Sequence, residues 1–166
     1  MSRKHPAPLT TAERRRLMQV QIRHNVETYG CHVMAVFPTK AHPGVPWAYS
    51  IGIPTTFPGA AEVIVVGLDP DTAHAIINNV VAEMRKGKTF ADGQEAHGLV
   101  KKLPLTFRKV AERHYDNYVG QGQIYHKSDS NWPLLQIIWP DTQGRFPWQE
   151  GFEDRFRAKQ PLLFDD

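Results

Sequence analysis

The residues most able to do chemistry in this chain are few, and each has a spacing that can be tested. Ser50 lies in Ala48-Tyr49-Ser50-Ile51-Gly52, which matches the nucleophile elbow of hydrolases with alanine in place of the first glycine. That motif works on a tight strand-to-helix turn, which exposes the serine and aims a helix N-terminus at the oxyanion. Here Ile53 and Pro54 follow and no helical pattern begins. Ser50 therefore reads as a small strand residue. Cys31 beside His32 suggests a thiol–imidazole pair, but adjacent strand residues point to opposite faces. Cys31 reads as a buried structural cysteine.

Eight histidines make a metal site worth testing. No His-x-x-x-His or Cys-x-x-Cys spacing is present. Glu95 with His97, and His114 with Asp116, are only two-residue pairings, and His74 sits at the edge of an apolar helical stripe. No metal ligands are assigned. Without a Walker A motif, a Gly-x-Gly-x-x-Gly turn or zinc-finger spacing, neither ATP hydrolysis nor Rossmann-type dinucleotide binding has support, and no cofactor is identified.

The aromatics form the remaining group. Trp47, Tyr49, Trp139, Phe146 and Trp148 lie beside Pro46, Pro140 and Pro147. Such residues commonly pack a core. At strand ends, however, Pro-flanked aromatics also build rigid walls of small-molecule pockets, where a few polar groups fix orientation.

These residues must be held by elements that the pattern defines. Thr10 and Glu13 make a capping box; Met18, Ile22, Val26 and Tyr29 make an apolar stripe, and Gly30 ends the helix. Residues 31–37 read as a strand. Residues 47–53 alternate bulky Trp47, Tyr49, Ile51 and Ile53 with small Ala48, Ser50 and Gly52, giving a strand with one nearly bare face. Residues 55–61 read as a loop. Glu62 to Leu68 is apolar on both faces and predicts a central strand.

Asp69 caps the next helix and Pro70 suits its first position. Ala73, Ile76, Ile77, Val80 and Met84 form its buried stripe, and Gly87 ends it. This helix is expected to cover the bare face of Ala48, Ser50 and Gly52, leaving Trp47 and Tyr49 to wall a cleft on the other. Asp92-Gly93 predicts a hairpin turn. Residues 112–126 suggest a short helix weakened by Gly120 and Gly122. Trp132 to Pro140 reads as another strand, apolar apart from Gln136, and the tail from Asp141 as an ordered wrap. The expected class is α+β: a single domain over residues 10–166, its mixed or mostly antiparallel sheet covered on one face by helices, with residues 1–9 as a basic N-terminal arm.

The chain's 166 residues, 41% hydrophobic and 22% charged, suit one soluble domain. One cysteine, Cys31, permits no internal disulfide. The start of the chain holds no signal-peptide core and no stretch reaches transmembrane length, so a cytoplasmic protein is expected, without a membrane partner. The net charge is +3. It is concentrated before Gly30, where Arg3, Lys4, Arg14, Arg15, Arg16 and Arg23 face Glu13 and Glu27.

The ordered combination of Trp-Ala-Tyr-Ser-Ile-Gly-Ile at 47–53, Glu62 to Leu68, Leu134 to Asp141, Gly144 to Trp148 and Gln160 to Leu163 resembles the bacterial family called domain of unknown function 4262, over about Gly30 to Leu163. That family often carries His-Pro-Glu before its third strand; here Pro58, Gly59, Ala60, Ala61 and Glu62 stand, so only the glutamate carries over. The resemblance implies one intact domain and brings no reaction, substrate or catalytic residue.

The candidate ligand-binding residues are Trp47, Tyr49, Glu62, Gln136, Trp139, Asp141, Arg145 and Trp148. The leading expectation is a binding or regulatory domain that holds a small molecule or a protein partner in an aromatic-walled cleft. Two alternatives stay open: a hydrolase or transferase using a histidine or carboxylate pair, and a nucleic-acid-binding module using the basic arm.

Overall fold

The computed structural model describes residues 6–127 and 131–166. Arg3 and Lys4 of the expected basic arm fall outside the described residues. Helix α1 (Thr11–Tyr29) begins with the expected capping box: Glu13 N–H donates to Thr10 Oγ1 at 3.2 Å, and Thr10 N–H donates to the Glu13 carboxylate at 2.7 Å. Gly30 ends it in the left-handed region at φ 90°. Of the expected stripe only Ile22 and Val26 are buried; Met18 and Tyr29 are exposed. Every residue from 11 to 18 is exposed, so the helix packs by its C-terminal half.

Strands β1 (His32–Val36), β2 (Trp47–Ile51) and β3 (Glu62–Val66) form an antiparallel meander. Between the last two lies a single-turn helix, α2 (Ile53–Thr56). The sequence reading placed no helix there. Gly52, at φ 101°, lets the chain turn from strand to helix, a conformation that glycine adopts freely. Helix α3 (Pro70–Arg85) starts as expected, with the Asp69 carboxylate accepting from the N–H groups of Asp71 and Thr72.

Strands β4 (Glu95–Val100) and β5 (Leu103–Lys109) form a hairpin whose turn is Lys101-Lys102, not Asp92-Gly93. Lys102 takes the left-handed conformation at φ 68°. Asp92 instead accepts from Lys109 N–H and Arg108 Nε, while Gly93 and Gln94 extend the ladder opposite Phe107. Two short helices, α4 (Tyr115–Tyr118) and α5 (Gly120–Tyr125), occupy the region expected to hold one, broken at Val119. Strand β6 (Leu134–Ile138) follows.

The sheet order is β1-β2-β3-β6-β5-β4, with a parallel β3–β6 pair joining two antiparallel meanders. These two central strands are the ones whose every residue is buried, as continuous apolar runs require. Alternate residues divide the core. Val63, Val65, Leu135 and Ile137 face α3 in one cluster, whereas Ile64, Val66 and Leu134 join Ile22 and Val26 of α1, Tyr115, Val119 and Trp132 in the other. Helices thus lie on both faces, because a central strand apolar on both sides needs cover on both.

The bare face of β2 is shared. Ala48 packs in the α3 cluster, as expected. A Cβ at Gly52 would instead collide with the side chain of Val26 on α1, so that end of the face belongs to the first helix. The tail wraps the sheet with little regular structure beyond a short turn at Asp154–Phe156, burying Phe146, Phe152 and Leu163. Among the described residues, no helix is long and apolar enough to cross a membrane.

Candidate functional site

Glu62 opens β3 and is fully buried. A carboxylate in such a place needs donors around it. Oε1 accepts from Gly52 N–H at 2.5 Å and from His126 Nε2 at 3.0 Å; Oε2 accepts from Ser50 Oγ at 2.5 Å and from Ile53 N–H at 3.3 Å. The first N–H groups of α2 are therefore spent on Glu62. Ser50 is also fully buried, and its hydroxyl accepts from Val63 N–H at 2.9 Å while donating to Glu62. In a serine hydrolase triad the imidazole stands between hydroxyl and carboxylate. Here the carboxylate stands between hydroxyl and imidazole, so His126 has no path to activate Ser50. The strand-turn-helix geometry of an elbow is present without an elbow's nucleophile.

His126 follows the end of α5, its side chain 12% exposed. Its ring stacks on Trp132, with centroids 4.7 Å apart and planes 21° from parallel. Tyr125 beside it shares a hydrogen bond of 3.0 Å with Thr55 of α2. Among the described residues, the buried indole N–H of Trp132 has no hydrogen-bond partner. Gly122 of α5 lies where a Cβ would come within 3.3 Å of Trp132 and 3.6 Å of Tyr49. The glycine that weakens the helix thus lets it lie close to two aromatic rings.

On the far side of α5 lies a groove of about 480 Å³. Its floor is Met34 and Val36 of β1 with Trp47 and Tyr49 of β2; α1 contributes Arg15, and α4 and α5 contribute Asp116, Tyr118, Gln121 and Ile124. Trp47 is half-buried. Its indole N–H donates to the Tyr118 carbonyl at 2.9 Å, and the two rings lie 5.0 Å apart. Gln19 on α1 donates to Gln121 on α5 at 2.9 Å. Tyr49, 2% exposed, lies between groove and carboxylate. Burial pushes its phenol up to about 12, against the pull of the Gln121 and Gly122 N–H groups and with a smaller upward push from Glu62.

The other candidate residues stand elsewhere. Trp139 borders a smaller apolar hollow of about 260 Å³ beside α3, with Leu103, Leu105 and Phe156. Its indole donates to Val66 O at 2.8 Å, and its own N–H and carbonyl are both held by the Gln160 amide. Gln136 donates to Pro161 O and accepts from Leu163 N–H, which ties the tail to β6. Asp141 organises the turn after β6. Burial would raise it, but the N–H groups of Arg145, Glu153 and Gln143 and the Arg145 guanidinium outweigh that and hold its carboxyl below the usual range. Arg145 serves that turn, and Trp148, 48% exposed, stacks on Phe146.

Of the candidate set, Trp47 and Tyr49 share the groove with Glu62 behind Tyr49, while Asp141 pairs with Arg145 and shares the α3 hollow with Trp139. His126, Trp132, Tyr118, Arg15 and Asp116 were missed. One signal was available: a lone glutamate in an apolar strand demands partners. Cys31 packs in the α3 cluster just ahead of β1, and it borders one hollow together with His32. His32 meets Asn25 at 2.9 Å, and burial pushes the Cys31 thiol up to about 12, Glu62 adding to the rise and Arg85 opposing it. Among the described residues, no three His, Cys, Asp or Glu side chains gather as metal ligands.

A family model, that of a domain of unknown function (DUF4262), matches residues 25–153. No curated protein and no solved structure matches the chain.

Proposed function

The chain belongs to the DUF4262 family, and from that premise we propose that this domain is a binding or regulatory module that holds a small molecule in the groove over Trp47, Tyr49 and Tyr118. One observation carries the reading: an open groove of about 480 Å³ has an aromatic and aliphatic floor and polar groups at its walls. That is the composition of small-molecule sites, in which apolar area supplies affinity and a few polar groups fix orientation. The Trp47–Tyr118 hydrogen bond supports it by holding the principal ring rigid before any ligand arrives. Cys31 is a free, buried thiol, in keeping with a protein of the cytoplasm.

The test is native mass spectrometry of the protein isolated from its own host, paired with Tm. A small-molecule adduct that raises Tm in the wild type and is lost in Trp47→Ala supports the reading. An adduct retained by Trp47→Ala places the ligand elsewhere and overturns it.

A second reading, a hydrolase or transferase, is favoured by the Glu62–His126 pair. A carboxylate that holds one imidazole nitrogen fixes the tautomer and leaves the other nitrogen to move protons. In that reading His126 acts through Nδ1 as general base. Replacing it by glutamine should abolish any turnover found, whereas Ser50→Ala should spare it.

A further inference from the structure

Two charged side chains line the groove, Arg15 from α1 and Asp116 from α4. They have opposite signs, yet they do not pair with each other, and among the described residues neither makes a salt bridge. Asp116 accepts one hydrogen bond, from Gln123 at 2.5 Å, which engages one of its two oxygens. Arg15 and Asp116 reach this lining from two different helices, together with Met34, Val36 and Trp47 of the sheet.

A ligand that fills the groove strips water from both charges. A neutral ligand returns at most hydrogen bonds without the charge assistance of an ionic partner. An anion pairs with Arg15 and leaves Asp116 facing its own sign, and a cation does the reverse. A molecule carrying both charges makes a charge-assisted bond to each while its apolar body covers the aromatic and aliphatic residues between them. Resting on the groove reading above, we propose that the ligand is a zwitterion of amino-acid to dipeptide size, with an anionic group on Arg15, a cationic group on Asp116 and a flat apolar body over Trp47 and Tyr118. Charge-assisted hydrogen bonds at both ends orient it, so the groove reads polarity as well as shape.

The experiment is a titration of the full chain at low salt, followed by the Trp47 indole N–H resonance. The zwitterionic probes are 4-(aminomethyl)benzoate, with its charges at opposite ends of the ring, and phenylalanine, with both on one carbon. The comparison probes are 4-methylbenzoate, 4-methylbenzylamine and 4-methylbenzyl alcohol. The better zwitterion should bind about tenfold tighter than either singly charged probe, the worth of one charge-assisted contact. Arg15→Gln should weaken the zwitterion to the level of the cation, and Asp116→Asn to the level of the anion. Both side chains are exposed, so neither variant should unfold the domain. Equal affinity for all the probes, unchanged in the variants, would overturn the zwitterion and leave the groove standing. Failure of every probe to move Trp47 would overturn both.

Discussion

His126 and Glu62, 64 residues apart in sequence, meet at 3.0 Å behind the wall of the groove. The contact clamps the C-terminal end of α5 to the head of β3, while Tyr49 lies against the same helix through Gly122. Groove wall and buried carboxylate are thereby parts of one arrangement. Glu62→Ala should destabilise the domain by about 3–5 kcal/mol, because it orphans the buried donors of Ser50, Gly52, Ile53 and His126. Urea denaturation checks this; a loss under about 1 kcal/mol would show that the carboxylate is dispensable.

Ser50→Ala removes one donor to Glu62 and one acceptor from Val63 N–H. It should cost roughly 1–3 kcal/mol and leave Ser50 blameless in any catalysis. Labelling of the native protein at Ser50 by a fluorophosphonate would contradict its burial.

Gly52→Val should destabilise more than an ordinary overpacking change of about 1–3 kcal/mol, since it combines a clash with a strained backbone. The clash is with Val26 of α1, and φ is 101°. The double variant Gly52→Val with Val26→Ala should recover part of the loss in Tm. No recovery would mean that the two residues are not in contact.

How far the sequence could be read follows from where its constraints are local. The cap at Thr10, the Asp69-Pro70 start of α3 and the two-faced apolar run at Glu62 depend on neighbours a few residues away, and each reappears in the structure. Asp92-Gly93 does make a turn, closed by Gln94 N–H on the Ala91 carbonyl, but no strand precedes it and Asp92 instead holds Arg108 and Lys109 of β5, a long-range partner that no dipeptide reveals. The candidate site was half legible. Trp47 and Tyr49 announced themselves by alternation, whereas Arg15 and Asp116 lie on helices, and His126 just after one, whose placement over the sheet decides everything. Trp139, Gln136 and Asp141 were expected as ligand residues from their types at a strand end; the hydrogen bonds that tie each to the tail or its first turn were not legible from the sequence.

Three buried acids set the alkaline limit, the Cys31 thiol and two phenols. Burial, opposed by the Gln121 and Gly122 N–H groups, leaves the Tyr49 phenol at about 12, and burial carries Tyr115 to about 12 as well, with Glu112 assisting. The unfolded phenols titrate near the ordinary value of about 10. The unfolded Cys31 thiol titrates lower still, at about 8.5, against about 12 in the native chain. In each case the unfolded chain sheds protons that the native one keeps, so stability is full below about pH 8, falls first with the thiol and then more steeply above about pH 10 as the phenols join it. Tm measured from pH 8 to 12 should decline over that window, and less steeply in Tyr49→Phe. An identical slope in the variant would remove Tyr49 from the account.

The central claim, that the groove over Trp47 is where this domain binds, is tested most directly by resolving the indole N–H resonances of Trp47 and Trp139 during a screen of small aromatic fragments. The two indoles border hollows in different parts of the molecule, Trp47 near α5 and Trp139 beside α3. The account predicts that fragments shift Trp47 together with the backbone amides of Gly120, Gln121 and Ile124, and leave Trp139 still. Shifts gathered on Trp139, Leu103 and Phe156 with Trp47 unmoved would contradict it.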